Sequence, residues 1–155
     1  MKNCLYLFGL LLLFSCKKTT DNPFADDFLV FGHFYGFCGG EQCIEIFKLG
    51  FDRLLEDTRD DYPRSDGFYQ ADYQLRSYED FLECQELMTA FPSSLWEEDE
   101  TIIGQPDAGD WGGIYVEYKY QGKHQFWLLD QQKSNVPEVY HPFIELINAK
   151  IQALQ

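Results

Sequence analysis

The sequence predicts an α+β fold: an antiparallel sheet of about four to six strands with two helices packed on one face. Three observations carry this. Two aromatic and β-branched runs, residues 28–36 (FLVFGHFYG) and 43–49 (CIEIFKL), flank a Gly-rich turn and read as an antiparallel pair. A strict alternation over residues 114–120 leads through Gln121 and Gly122 into a second strand-like run, KHQFWLL, which gives another hairpin. Each hairpin is followed by a stretch with helical spacing, so the order is strands, helix, strands, helix. Short connections between the strands favour antiparallel pairing, with both helices stacked on one side as a two-layer sandwich.

The elements follow in chain order. Residues 53–57 add a short strand before the acidic loop DTRDDYPRSDG, and residues 68–73 fit neither helix nor strand cleanly. Ser77 and Asp80 form a capping box at the start of the first helix. Phe81, Cys84, Met88 and Phe91 recur at helical spacing as one core-facing stripe, and Pro92 ends or breaks that helix. In the strand at 114–120, Ile114, Val116, Tyr118 and Tyr120 alternate with Tyr115, Glu117 and Lys119, the pattern of a half-buried strand. The last helix starts near Pro142, a favoured first-turn proline. Tyr140, Ile144, Ile147, Ile151 and Leu154 form its buried face.

Composition narrows the function classes. The chain has 155 residues, 45% apolar and 17% aromatic, enough for one core and too aromatic for a disordered tail. The net charge of −14, from 12 basic and 26 acidic residues, excludes a phosphate backbone as a partner, because nucleic acid binding needs clustered Lys and Arg. No nucleophile elbow, H-E-x-x-H or phosphate-binding loop occurs, so the chain is expected not to be an enzyme.

The amino-terminal segment carries the strongest targeting signal. Lys2 precedes ten unbroken apolar residues, Leu5 to Phe14, half the roughly 20 needed to span a bilayer, so the segment reads as a cleaved export signal. Its end, Leu13, Phe14, Ser15 and Cys16, resembles the lipobox of bacterial lipoproteins, with Phe14 in place of the usual small residue. The resemblance implies lipidation of Cys16 after removal of residues 1–15, and several acyl chains hold a protein stably to a membrane. Residues 16–27 then form a lipidated tether and residues 28–155 a single domain. Cleavage removes Lys2 and no acid, so the mature chain carries 11 basic and 26 acidic residues, a net charge of −15. By resemblance to lipoprotein sorting, Lys17 is not the aspartate that retains lipoproteins in an inner membrane. The outer membrane, periplasmic face, is expected, with the cell surface as the alternative.

Three cysteines remain for the domain. Cys84 lies on the helical stripe and is expected to be a buried free thiol. Cys38 and Cys43 flank GGEQ between two strands and are expected to pair in an oxidising compartment. His33 with Cys38 and Cys43 also has the donor types for zinc or copper, with a fourth ligand to come from His124 or Cys84, and no paired metal-ligand spacing is present. Asp107 and Asp110, in the loop GQPDAGDWGG, are candidates for a hard cation or for turn caps, although their spacing is not that of an EF-hand. The carboxylates Glu56, Asp57, Asp60, Asp61 and Asp66 form either a calcium loop or a solvated acidic one. The glycine-rich loop and FGHFYGFCGGEQCIEIFKL resemble segments of small lipoproteins of the Bacteroidota, in which a cysteine-containing loop precedes a Gly-Gly strand entry. Gln105 and Ala108 stand here where that pattern has cysteines, and the likeness brings no activity with it.

The function expected from these readings is a membrane-anchored, non-catalytic binding domain for an envelope component or protein, without a cofactor. Abundant Tyr, Trp and Phe supply anchors for a partner. The acidic charge would steer a cationic partner at low salt, and one specific form is an inhibitor of a cationic lysozyme-like enzyme. A metal-binding or metal-carrying lipoprotein is the alternative.

Overall fold

The computed structural model describes residues 27–155. The signal segment, Cys16 and the tether up to residue 26 lie outside the described residues. The fold is α+β, built on one seven-stranded sheet: β1 (Phe28–Phe34), β2 (Ile44–Leu49), β3 (Leu54–Asp57), β4 (Tyr73–Leu75), β5 (Ile102–Ile103), β6 (Gly113–Tyr120) and β7 (Lys123–Asp130). The spatial order is β4-β3-β2-β1-β6-β7-β5, so the two hairpins sit side by side with β1 against β6 at the centre. All pairings are antiparallel except β5 with β7, which is parallel. The sheet exceeds the expected four to six strands because β4 and β5 have three and two residues, too few to show a period.

One face of the sheet carries the helices. Leu29, Phe31, Phe47, Leu49, Ile114, Val116, Trp127 and Leu129 pack against α1 (Tyr78–Cys84), α2 (Leu87–Ala90) and α3 (His141–Leu154) in one core. The Ser77 side chain accepts the Asp80 N–H at 3.1 Å, which starts α1. The Asp80 carboxylate turns to Arg76 instead of returning to the cap, so half of the box forms. The helical stretch is interrupted at Gln85 and Glu86 before α2 resumes, and it ends ahead of Pro92. The expected stripe is buried throughout, with Tyr140 in the turn before α3 and Ile144, Ile147, Ile151 and Leu154 within it.

The opposite face departs from a two-layer sandwich. Tyr115 and Glu117, expected on the solvent side of β6, are 0% and 4% exposed. The loop between β3 and β4, residues 58–72, folds back over this face, and Tyr69 packs on a second cluster of Val30, Phe34, Ile46, Tyr115, Phe126 and Leu128. Asp57 fixes the loop: its Oδ1 accepts the N–H groups of Arg59 and Asp72, and its Oδ2 accepts the Asp60 N–H and the Tyr69 hydroxyl, at 2.7–3.2 Å. The acidic loop is therefore a covering layer. At least one of its carboxylates is spent on holding it in place.

The Gly-Gly strand entry has a steric cause. Gly112 takes φ +75°, a left-handed conformation, and a Cβ there would fall 2.3 Å from the Tyr35 ring. A Cβ on Gly113 would fall 2.2 Å from the Phe34 ring, so the end of β1 can lie over the start of β6 only if both are glycine.

Candidate functional site

Five of the residues singled out in the sequence, His33, Cys38, Cys43, Asp107 and Asp110, lie toward one end of the sheet, where β1 leaves and β6 enters. Cys38 and Cys43 are bridged, with Cα atoms 5.7 Å apart, and Cys84 is a buried free thiol pushed up to about 12, chiefly by burial. His33 donates from Nε2 to the Gln42 carbonyl at 3.1 Å. Asp107 is consumed by structure: Oδ2 accepts the Gly36 N–H at 2.8 Å and the Tyr62 hydroxyl at 2.9 Å, and Oδ1 accepts the Gly112 N–H at 3.0 Å. It ties the glycine-rich loop to the end of β1. Asp110 is exposed and lines, with the disulfide loop, a shallow cavity on which Phe37 is 86% exposed. Among the described residues no group of three His, Cys, Asp or Glu side chains is placed to hold a metal ion. The candidate donors His33, Asp107 and Asp110 are not brought together as a ligand set, because the two cysteine sulfurs bond each other and both Asp107 oxygens already accept hydrogen bonds.

Burial sets how His33 responds to acid. It holds the imidazole below its ordinary value of 6.5, with the Gln42 carbonyl opposing. The unfolded chain therefore takes up this proton at a higher pH than the folded one, so His33 contributes stability above 6.5 that is lost as pH falls through 6.5 toward the folded value. Urea midpoints measured between pH 7.5 and 5 should decline less in His33→Gln than in the native chain. Parallel declines would show that this histidine does not sense the fold.

The loop-covered face holds a buried polar centre that pattern reading missed. Glu117 accepts the Tyr115 hydroxyl on Oε2 and faces His124 Nε2 on Oε1, both at 2.8 Å. His124 stacks flat on Phe68, with centroids 3.9 Å apart, and the Tyr69 N–H donates to the Tyr115 oxygen at 3.0 Å. Burial and Glu117 raise the Tyr115 phenol, which keeps it a donor. The carboxylate thus links β6, β7 and the covering loop, a structural use of a residue that alternation assigned to solvent.

At the other end of the sheet lies an aromatic cleft of about 720 Å³. Its floor comes from the ends of β2 and β6, through Leu49 and Tyr118, and its wall from α1, α2 and the segment after them, through Phe81, Met88, Phe91 and Trp96. Phe51, 66% exposed, and Tyr120 stand at its rim. The rings contact one another: Phe91 and Tyr118 have centroids 4.5 Å apart, Tyr118 and Tyr120 5.4 Å, and Trp96 and Tyr118 5.8 Å. Asp27 also lines the cleft. It is 7% exposed, its Oδ1 accepts the Gln121 N–H at 3.1 Å, and its Oδ2 is buried without a hydrogen-bond partner among the described residues. Sequence spacing gave Phe91 and Tyr118 as core positions. It had no means of placing Trp96, Phe51 and Asp27, which come from three separate connections, around the same opening.

No protein-family model matches the chain, and comparisons with curated proteins and with solved structures give no significant match. Among the described residues no helix is long and apolar enough to cross a membrane.

Proposed function

We propose that this protein is a lipoprotein held by acyl chains on Cys16 at the periplasmic face of the outer membrane, and that its domain binds an envelope component without transforming it. The observation that supports binding is the aromatic cleft. Its volume falls in the range of about 300–1,000 Å³ that suits small organic ligands, and it is mainly apolar with few polar groups, the usual make-up of such sites. Rings such as Trp96 and Tyr118 offer large contact area at little cost in side-chain entropy. The anchor rests on Lys2, the apolar run and Ser15-Cys16.

The two halves of the proposal are tested separately. Cys16→Ser should move the protein from the membrane to the soluble fraction and abolish labelling by a fatty-acid probe, whereas unchanged fractionation would overturn the anchor. The neutral fluorophore N-phenyl-1-naphthylamine should brighten on entering the cleft of the soluble variant. Phe51→Ala, at an exposed rim position that tolerates substitution, should weaken that binding several-fold, because a ring contributes roughly 1–2 kcal/mol on burial. Absence of brightening, or indifference to Phe51→Ala, would overturn the cleft as the binding site.

A further inference from the structure

We propose that the ligand of this cleft is a small amphiphilic amine, its ammonium group seated at Asp27 among the aromatic rings and its apolar tail lying over Met88 and Phe81. The inference rests on the cleft being a binding site and adds the chemical class of what enters it. A carboxylate oxygen that is buried and lacks a donor is rare in folded proteins, since each such atom forfeits the hydrogen bonds it made in water. Asp27 Oδ2 is such an atom, on a residue 93% withdrawn from solvent that lines the cleft. Of the basic residues that line a neighbouring cavity with Asp27, Lys48 sits 3.8 Å over the Phe28 ring and Arg53 is paired with Asp52. An ammonium group would supply the missing donor together with the opposite charge.

The walls suit the same group. Aromatic faces carry negative quadrupole potential and attract cations, the arrangement by which aromatic cages hold quaternary ammonium ligands. The Trp96 ring already attracts one cation, with Lys123 Nζ 5.5 Å from its centroid. Burial, with smaller contributions from Tyr120 and then Asp27, pushes the Tyr118 phenol up to about 12, and Asp27 and Tyr118 line the same cleft. The cleft is much larger than an ammonium group, and beside the polar Gln85, Thr89 and Ser93 its lining carries the apolar Leu49, Phe81 and Met88, which suit a hydrocarbon tail. The net charge of −14 concentrates cations around the domain and repels anions.

Hexylamine, hexan-1-ol and hexanoate have tails of similar length and heads that are cationic, neutral and anionic near neutral pH. Titrated into the full chain carrying Cys16→Ser, at physiological salt and followed by calorimetry and tryptophan fluorescence, the amine should bind about tenfold more tightly than the alcohol, as one charge-assisted hydrogen bond predicts. Hexanoate should bind least. Asp27→Asn should erase the preference for the amine, so that amine and alcohol bind alike, and a native-like urea midpoint shows that the variant is folded. Equal binding of amine and alcohol to the native chain would overturn the amine and leave the cleft standing as a binding site. An amine preference that survives in Asp27→Asn would assign it to the overall negative charge and would also overturn the proposal. If none of the three binds while N-phenyl-1-naphthylamine still does, only the amine falls. If that probe fails as well, both readings fall.

Discussion

Trp127→Ala should cost about 3–5 kcal/mol, the range for removing a large aromatic side chain from a packed core, and this is a large fraction of the stability of an ordinary domain. Trp127 is fully buried at the middle of β7, paired across the ladder with Val116. Its ring lies 5.4 Å from Trp96 and 5.7 Å from Phe91, so it joins the sheet to the segment that follows α2. Truncation opens a cavity that a sheet held on both sides cannot close. Trp127→Phe is the informative comparison. The indole Nε1 is buried without a hydrogen-bond partner among the described residues, so exchanging the indole for a phenyl ring loses some contact area while removing an unsatisfied donor. The two effects oppose, and Trp127→Phe should cost about 1 kcal/mol or less. Urea unfolding with the disulfide intact measures both. A phenylalanine variant as unstable as the alanine variant would mean that the indole nitrogen has a partner and that the opposition does not exist.

Much of the helix-facing half was legible in the sequence. Ile144, Ile147, Ile151 and Leu154 had to share one stripe because they recur every three or four residues, and the runs at 114–120 and 123–129 had to pair because only Gln121 and Gly122 separate them. Cys38 and Cys43 were expected to bridge for the same local reason, and the hairpin brings them together. The loop-covered half was not legible. Glu117 and Asp57 are charged residues in positions that alternation and acidic clustering assign to water, and both are buried because several hydrogen-bonding groups converge on them, Tyr115 and His124 on Glu117 and both ends of the covering loop on Asp57. No periodicity reports such convergence. The aromatic cleft was hidden for a related reason: its residues come from the start of β1, the end of β2, the helical segment and the end of β6, and only the sheet order places them together.

Asp57→Ala should detach the covering loop and cost about 3 kcal/mol. The carboxylate is 3% exposed and accepts four hydrogen bonds, three of them from backbone N–H groups of Arg59, Asp60 and Asp72 and one from Tyr69. Hydrogen bonds to a charged acceptor are worth roughly 1.5–3 kcal/mol each, and their sum is not lost in full because the freed donors can turn to water once the loop lifts. The loss should therefore be felt first as local opening over residues 58–72, and only in part as global instability. Arg59 and Arg64 lie in this loop and report on it as trypsin sites. Cleavage there should accelerate more than about tenfold in Asp57→Ala, since each 1.4 kcal/mol removed from the cost of opening raises the open population tenfold. Asp57→Asn keeps one acceptor oxygen and should fall between the two. The lifted loop would also withdraw the Tyr69 N–H from Tyr115 and Phe68 from His124, so the Glu117 centre should loosen with it. Native-like trypsin resistance in Asp57→Ala would show that the aromatic contacts of Tyr69 and Phe68 hold the layer by themselves, and that the converging hydrogen bonds of Asp57 add nothing.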